Sequence, residues 1–213
     1  MVSVGVFRKD IRDFFGSVRT SVTPEQLAEW GFDQSYANYE VVTTENIGAA
    51  RVSGVEFEYR QTVPYLPARL GNLLVSFNST SLHIQGGAAN SIRGPALSGS
   101  GFTPLTMNYG ITYSTSRLTA RANYSVRGRA RSTEITGTNV DPATFTFADP
   151  RRSLDVNVEL RIFRWLSLFG NIRNVTAIAW RSETYAPTTP AYARNTRWVE
   201  YGPNALFGVK GSF

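Results

Sequence analysis

Apolar and polar side chains alternate along much of the chain. The pattern is clearest at residues 105–113, where every odd position is apolar: Leu105, Met107, Tyr109, Ile111 and Tyr113. It returns at residues 118–126 and 154–162, where the even positions are apolar. A period of two is typical of β-strands that have one apolar face and one polar face. The alternation therefore predicts an all-β chain.

About eight strands are predicted in succession, at approximately residues 2–14, 38–61, 69–80, 103–114, 117–128, 151–163, 165–175 and 197–213. Neighbouring strands joined by tight turns pair in antiparallel fashion, so the predicted fold is an antiparallel meander. One helical segment stands apart at residues 24–30. Thr23 is its predicted N-cap, Pro24 takes the first helical position and Gln26 the capping-box position.

The connections between the predicted strands alternate in length. Residues 62–68, 114–117 and 163–165 are short, whereas four connections are long and rich in Gly, Pro, Ser, Thr and Asn: 15–37, 79–102, 129–150 and 176–196. Short turns at one end and long loops at the other are typical of outer-membrane β-barrels. Aromatic residues collect near the short-turn end, as in an interfacial girdle: Tyr59, Tyr65, Tyr113, Phe163, Trp165 and Phe213. A soluble up-and-down barrel is the alternative.

The composition restricts which catalytic and metal-binding sites the chain can form. The chain has no cysteine and one histidine, His83, which makes it a poor candidate for a zinc site or for histidine acid–base catalysis. Glu56 and Glu58 share a strand face, but nothing else supports paired-carboxylate chemistry, and no serine lies in a nucleophile-elbow context. We predict that the chain is not an enzyme and holds no metal or cofactor.

The net charge is +6, and Lys9 and Lys210 are the only lysines. The arginines are spread along the chain, so nucleic acid is not a predicted partner. No apolar stretch reaches the length of about 20 residues that a transmembrane helix needs. The first ten residues, MVSVGVFRKD, do not resemble a signal peptide, because their apolar part is short and meets charge at once.

Three segments resemble the C-terminal barrel of TonB-dependent outer-membrane receptors. Residues 46–58, NIGAARVSGVEFE, resemble the family's strand that ends in Gly-Val-Glu, and residues 166–176, LSLFGNIRNVT, resemble its penultimate strand. Residues 206–213, LFGVKGSF, are similar to the closing strand with its C-terminal aromatic residue. That ending is also similar to the signal of the barrel-assembly machinery. Gly208 and Phe213 match this signal, and Gly211 departs from it.

The resemblance implies a plugged barrel of about 22 strands, of which this chain supplies only part. We find no signal peptide, TonB box or plug domain, so residues 1–213 are expected to be a C-terminal segment of the barrel. The resemblance implies energy-coupled uptake of a scarce ligand such as a siderophore, a cobalamin or an oligosaccharide. It implies the outer membrane of a Gram-negative bacterium as the location. The implied partners are lipid, the absent plug and strands, the TonB complex and the barrel-assembly machinery.

Four arginines are the candidate ligand-binding residues: Arg121, Arg127, Arg129 and Arg131. They share one parity and approach the long-loop end, where Arg151 and Arg152 begin the facing strand. Guanidinium groups suit carboxylate or phosphate partners, so one interpretation is a patch for an anionic ligand. The other is that these arginines face the plug or pair with lumen acids such as Glu134, Asp155 and Glu159. We favour the second, because a hydrated lumen requires charged side chains anyway.

Two other functions fit the alternation. A free-standing eight-stranded barrel would serve as a membrane anchor or adhesion scaffold, with its interior filled by side chains. A soluble, lipocalin-like barrel would turn its apolar face inward around a hydrophobic ligand. Both require the first and last strands to pair. In a segment of a wide barrel, residues 2–14 and 197–213 are expected to lie apart as open edges.

Overall fold

The computed structural model describes residues 1–13, 15–37, 39–46, 49–64, 67, 71–86, 103–135, 139–141 and 144–211. Across these ranges the chain forms strands with very little helix, which confirms the predicted all-β class. The strands are β1 (Val2–Ile11), β2 (Phe15–Ser21), β3 (Glu40–Asn46), β4 (Ala50–Thr62), β5 (Asn72–Gly86), β6 (Leu105–Ser114), β7 (Leu118–Arg127), β8 (Ala130–Glu134), β9 (Phe145–Ala148), β10 (Arg151–Phe163), β11 (Leu166–Arg173), β12 (Trp180–Tyr185), β13 (Asn195–Val199) and β14 (Asn204–Gly211).

Eight of these strands form one antiparallel sheet in the order β1-β4-β5-β6-β7-β10-β11-β14. Each strand pairs with the next strand of this sheet along the chain, which confirms the predicted meander of eight strands. Three boundaries differ clearly from the prediction. The predicted strand at 38–61 is divided, and its part in the main sheet, β4, begins at Ala50. β5 continues to Gly86 rather than ending near residue 80, and the last strand begins at Asn204 rather than near residue 197.

The large sheet is open. β1 and β14 are its edges, and no ladder joins them among the residues that the structure describes. A closed eight-stranded barrel, whether in a membrane or in water, would require that ladder. The open sheet is therefore the expected arrangement for part of a wider barrel, and the two closed alternatives lack their defining feature.

The strand register sorts side chains onto one apolar and one polar face. One rung across six strands is apolar throughout: Val2, Tyr59, Phe77, Tyr109, Tyr124 and Leu154. The adjacent rung is polar throughout: Ser3, Glu58, Asn78, Asn108, Ser125 and Ser153. Successive residues of a strand point to opposite faces, so the two rungs lie on opposite sides of the sheet.

Both faces have their own cross-strand contacts. On the apolar face, ring centroids of Phe57, Phe77, Tyr109 and Tyr124 follow one another at 5.7, 4.7 and 6.3 Å. On the polar face, Asn108 Nδ2 donates to Asn78 Oδ1 at 2.9 Å, and Ser125 Oγ donates to Asn108 Oδ1 at 2.9 Å. Aromatic pairs and hydrogen-bonded polar pairs both stabilise antiparallel sheets.

The apolar face is not covered by a second layer of the described chain. Val6 is 79% exposed and Phe207 69% exposed, although both are large apolar residues. Phe163 and Trp165, at the turn between β10 and β11, stack at 5.6 Å and are also exposed. An exposed apolar surface of this extent indicates a membrane or a partner surface. Tyr65 and Phe213, two other predicted girdle residues, lie outside the described residues.

Three of the four connections predicted as long loops contain strands of their own, at residues 15–37, 129–150 and 176–196, and residues 87–102 of the fourth lie outside the described residues. β2 pairs with β3, and the strands β13-β12-β9-β8 form a separate four-stranded sheet. These strands are short, with four to seven residues each, and two of their pairings connect distant parts of the chain. Their sequences lack the long apolar alternation of the main sheet, so the Gly-rich and Pro-rich composition suggested loops.

The predicted short helix is confirmed as α1 (Pro24–Glu29). Thr23 Oγ1 accepts a hydrogen bond from Gln26 N at 3.3 Å, and Thr23 N donates to Gln26 Oε1 at 3.1 Å. This reciprocal capping box satisfies two backbone donors that a helix start leaves unpaired. Leu27 is 3% exposed and anchors the helix. No helix in the described part of the chain is long and apolar enough to cross a membrane.

Two neighbouring rungs between β11 and β14 each place a phenylalanine opposite a glycine. Phe169 faces Gly208 on the polar face, and Phe207 faces Gly170 on the apolar face. A Cβ on Gly208 would lie 2.6 Å from the Phe169 ring, and a Cβ on Gly170 would lie 2.9 Å from the Phe207 ring. This complementarity explains why Phe169 and Gly170 break the alternation of β11. It also gives Gly208 a packing role within the sheet.

Candidate functional site

The polar face of the β7–β10 ladder carries four arginines: Arg121, Arg127, Arg151 and Arg161. Arg127 lies opposite Arg151, Arg121 opposite Asn157 and Thr119 opposite Glu159. At the turn end, Arg161 N donates to Arg117 O at 2.7 Å, so these two arginines are also cross-strand neighbours. The ladder thus has an arginine pair at each end.

The structure divides the predicted ligand-binding set. Arg121 and Arg127 lie on the polar face of the main sheet, whereas Arg131 lies in β8 of the four-stranded sheet and Arg129 just before that strand. Arg129 Nη2 forms an ion pair with Glu183 Oε2 at 3.1 Å, and its guanidinium lies 4.1 Å from the Phe147 ring centroid. The Arg131 guanidinium lies 4.4 Å from the Phe145 ring centroid. Arg129 and Arg131 therefore contact the four-stranded sheet and do not extend the row of Arg121 and Arg127.

Two of the acids named as partners of these arginines, Asp155 and Glu159, contact other residues. Asp155 Oδ1 accepts a hydrogen bond from Asn174 N at 2.8 Å, and the Glu159 carboxylate lies 3.9 Å from Lys210 Nζ. Neither acid forms an ion pair with Arg121 or Arg127 within the described residues. The side chain of Glu134 is outside the described part of the structure.

Charge is unevenly distributed over the polar face. Seven basic residues lie on β7, β10, β11, β14 and the turn before β7: Arg117, Arg121, Arg127, Arg151, Arg161, Arg173 and Lys210. The acids on the same part of this face are Asp155 and Glu159. On β4, by contrast, Glu56 and Glu58 share the polar face. The half of the sheet towards β14 therefore presents a basic wall, which favours anions.

Sequence reasoning missed the contacts that hold the four-stranded sheet together. Arginine guanidinium groups stack on aromatic rings, Arg181 on Trp198 at 3.6 Å and Arg197 on Trp180 at 4.9 Å. Such cation–π contacts are attractive at about 0.5–1 kcal/mol each at exposed sites. The adjacent pairs Trp180-Arg181 and Arg197-Trp198 were the available sequence signal.

The single histidine and the two residues that match the barrel-assembly signal were also singled out in the sequence. His83 lies inside β5, with its Nε2 3.0 Å from Gln85 Nε2. Among the residues described, no three His, Asp or Glu side chains gather as metal ligands would. Gly208 lies within β14, and Phe213 falls outside the described residues.

The family model for the TonB-dependent receptor-like β-barrel matches residues 1–175. The chain belongs to this family. Members of the TonB-dependent receptor family are receptors and transporters and not enzymes. The match covers β1–β11, the strands that carry both arginine pairs of the basic wall.

Solved structures agree with a TonB-dependent receptor barrel. The chain is similar over its full length to a variant of the ferric enterobactin receptor PfeA of Pseudomonas aeruginosa, with 19% identity and a TM-score of 0.63. It is similar to the siderophore receptor PiuA of Acinetobacter baumannii, with 15% identity and a TM-score of 0.59. It is also similar to the copper transporter OprC, with 14% identity and a TM-score of 0.61.

These similarities, at under 20% identity, concern the fold alone. The chain spans 29% of the PfeA chain, 26% of PiuA and 28% of OprC, although each alignment covers all of this chain. No curated protein sequence matches it.

Proposed function

We propose that the chain forms one wall of an outer-membrane receptor barrel that takes up a scarce ligand with energy from the TonB complex. The observation that carries this proposal is the open eight-stranded meander with segregated faces, whose edge strands β1 and β14 each pair on one side only within the described residues. Unpaired backbone groups at a sheet edge are costly in lipid, so further strands must complete the barrel. The family assignment agrees with such a barrel.

The apolar face meets lipid in this proposal. It carries Val2, Val4 and Val6 on β1 and Phe207 and Val209 on β14, all more than 60% exposed. Burying such residues against acyl chains is favourable by about 25 cal/mol per Å² of apolar surface. The odd positions from Leu105 to Tyr113 and the even positions from Leu118 to Val126 and from Leu154 to Ile162 then point outward.

The polar face lines a hydrated lumen. Arg121, Glu159 and Arg161 lie on this face, and a wide water-filled barrel accommodates such charges whereas a tightly filled eight-stranded interior does not. The chain itself performs no chemistry and needs no cofactor. The remaining barrel strands, a plug and the TonB complex are its proposed partners, together with outer-membrane lipid and the barrel-assembly machinery of a Gram-negative bacterium.

The ligand class that we propose is a bulky, scarce solute of the siderophore, cobalamin or oligosaccharide type. The names of PfeA and PiuA specify ferric enterobactin and siderophore, and that of OprC specifies copper. Those names describe the similar proteins. For this chain, they make a metal-carrying ligand the first class of ligand to test.

An uptake measurement in the source bacterium tests this function. Deleting the gene that encodes residues 1–213 should reduce uptake of at least one labelled ferric siderophore, cobalamin or oligosaccharide about tenfold or more. Removing TonB should cause the same loss, and the deletion should add nothing in the strain without TonB. Restoring the wild-type gene is the control. Unchanged uptake of every ligand, or a deletion effect that is independent of TonB, would contradict the proposal.

A further inference from the structure

Arg127 and Arg151 form a like-charged pair at the loop end of the polar face. They are direct partners in the β7–β10 ladder, and both are exposed. Directly opposed residues of antiparallel strands have Cβ atoms about 4.5–5.5 Å apart, and like charges in that position destabilise a sheet. A pair of this kind therefore gains stability when an anion lies between the two guanidinium groups.

The protein does not supply that anion from the part that the structure describes. No carboxylate lies within 4.0 Å of either guanidinium in these ranges. The nearest rung of the same face, Ser125 opposite Ser153, is neutral. Farther away, the Asp155 carboxylate accepts from Asn174 N, and the Glu183 carboxylate pairs with Arg129.

The arginine pair at the other end of the same ladder differs. Arg117 and Arg161 are also neighbours, but Glu159 lies in the adjacent rung of the same face and provides a negative charge nearby. The two pairs have the same residue types and lie at opposite ends of the same ladder, with Arg117 in the turn just before β7. They differ in the charge of the neighbouring rung, which makes one pair a matched control for the other.

We propose that Arg127 and Arg151 form an anion-binding site for a carboxylate or phosphate group of the ligand, at the loop end of the lumen wall. Each guanidinium presents a planar fork of N–H donors that matches two oxygens of such a group. Thr106, opposite Arg127, and Ser153, next but one to Arg151, present hydroxyls on the same face. This inference rests on the proposed function and specifies in addition that the ligand carries a negative charge.

Calorimetry with defined anions tests the site. The probes are pyrophosphate and citrate, which distinguish a phosphate ligand from a carboxylate ligand, titrated into the whole protein extracted from outer membranes in detergent. At least one probe should bind the wild-type protein, and binding should weaken about tenfold or more in the double variant Arg127→Gln/Arg151→Gln, because charge-assisted hydrogen bonds are lost. The control variant Arg117→Gln/Arg161→Gln should bind within about twofold of wild type.

Thermal unfolding separates loss of binding from loss of folding. Without probe, Arg127→Gln/Arg151→Gln should melt at or above the wild-type temperature, because the like-charge repulsion is removed. The binding probe should raise the melting temperature of the wild type and of the control variant but not of this variant. Absence of binding to the wild type, or equal loss in both double variants, would overturn the inference. The uptake measurement above is independent of this result, so the two proposals fail separately.

Discussion

Arginine in place of Val158 is expected to lower the free energy of unfolding in lipid by about 2–4 kcal/mol, the cost of an arginine at the bilayer midplane of a β-barrel. Val158 lies at the middle of β10, on the same face as Ala120 and opposite Gly170 of β11. A loss of this size shifts the folding equilibrium roughly 30- to 700-fold, since each 1.4 kcal/mol is a factor of ten. Denaturant unfolding of the whole protein in lipid vesicles measures it.

The matched control is Asn171→Arg, at a similar depth on the opposite face. Asn171 lies opposite Asn157 and Leu206, neither of which is charged. An arginine there extends into the hydrated lumen, so the expected change in folding free energy is within about 0.5 kcal/mol. Equal effects of the two substitutions would show that the apolar face does not contact lipid and the polar face does not line the lumen as proposed.

Alanine in place of Gly54 is expected to destabilise the sheet by about 1–3 kcal/mol, the usual cost of overpacking. A Cβ on Gly54 would lie 2.7 Å from the backbone oxygen of Ser81 and 2.7 Å from the ring of Phe7. The Phe7 ring rotates away at small cost, but the Ser81 oxygen belongs to the neighbouring strand β5. Strands β4 and β5 must therefore separate locally.

The control is Gly5→Ala on β1. A Cβ on Gly5 would meet only Glu56 atoms, the nearest at 3.7 Å, which is an ordinary contact. Alanine there is expected to be neutral or to stabilise by about 0.5 kcal/mol, because glycine in a strand loses more conformational entropy on folding. The combination Gly54→Ala/Phe7→Ala tests the reason for the clash. Full recovery of stability in that double variant would show that the ring, and not the Ser81 oxygen, causes the strain.

The main sheet could be predicted from the sequence because its strands have one apolar face and one polar face, which gives a period of two. In β6 and β7 every second residue is apolar over a full strand, and the turn at residues 115–117 is closed by Thr115, whose Oγ1 accepts from Leu118 N at 2.9 Å. The capped helix α1 was equally predictable, since its N-cap, proline and Gln26 all act locally.

The four-stranded sheet could not be predicted, because its pairings depend on chain segments far apart. β12 pairs with both β9 and β13, and the strands are too short to display a periodicity. The same limit applies to the candidate site. Parity along the sequence grouped Arg129 with Arg127, but the chain leaves the main sheet after Arg127, and Arg129 turns towards Glu183 and Phe147. The opposition of Arg127 and Arg151 depends on the β7–β10 register, which is a tertiary property.

The most direct test of the account asks whether β1 and β14 pair. The chain has no cysteine, so an engineered pair forms a disulfide only where two strands adjoin. Val6→Cys with Val55→Cys, direct partners of β1 and β4, is the positive control and should cross-link in the outer membrane under oxidation. Cysteines placed on the same face of β1 are then combined in turn with cysteines on that face of β14, at Val2, Val4 and Val6 against Ala205, Phe207 and Val209. The account predicts that no combination forms a disulfide within one chain. Efficient cross-linking of any of them would show a closed eight-stranded barrel and contradict the proposal of a wider receptor.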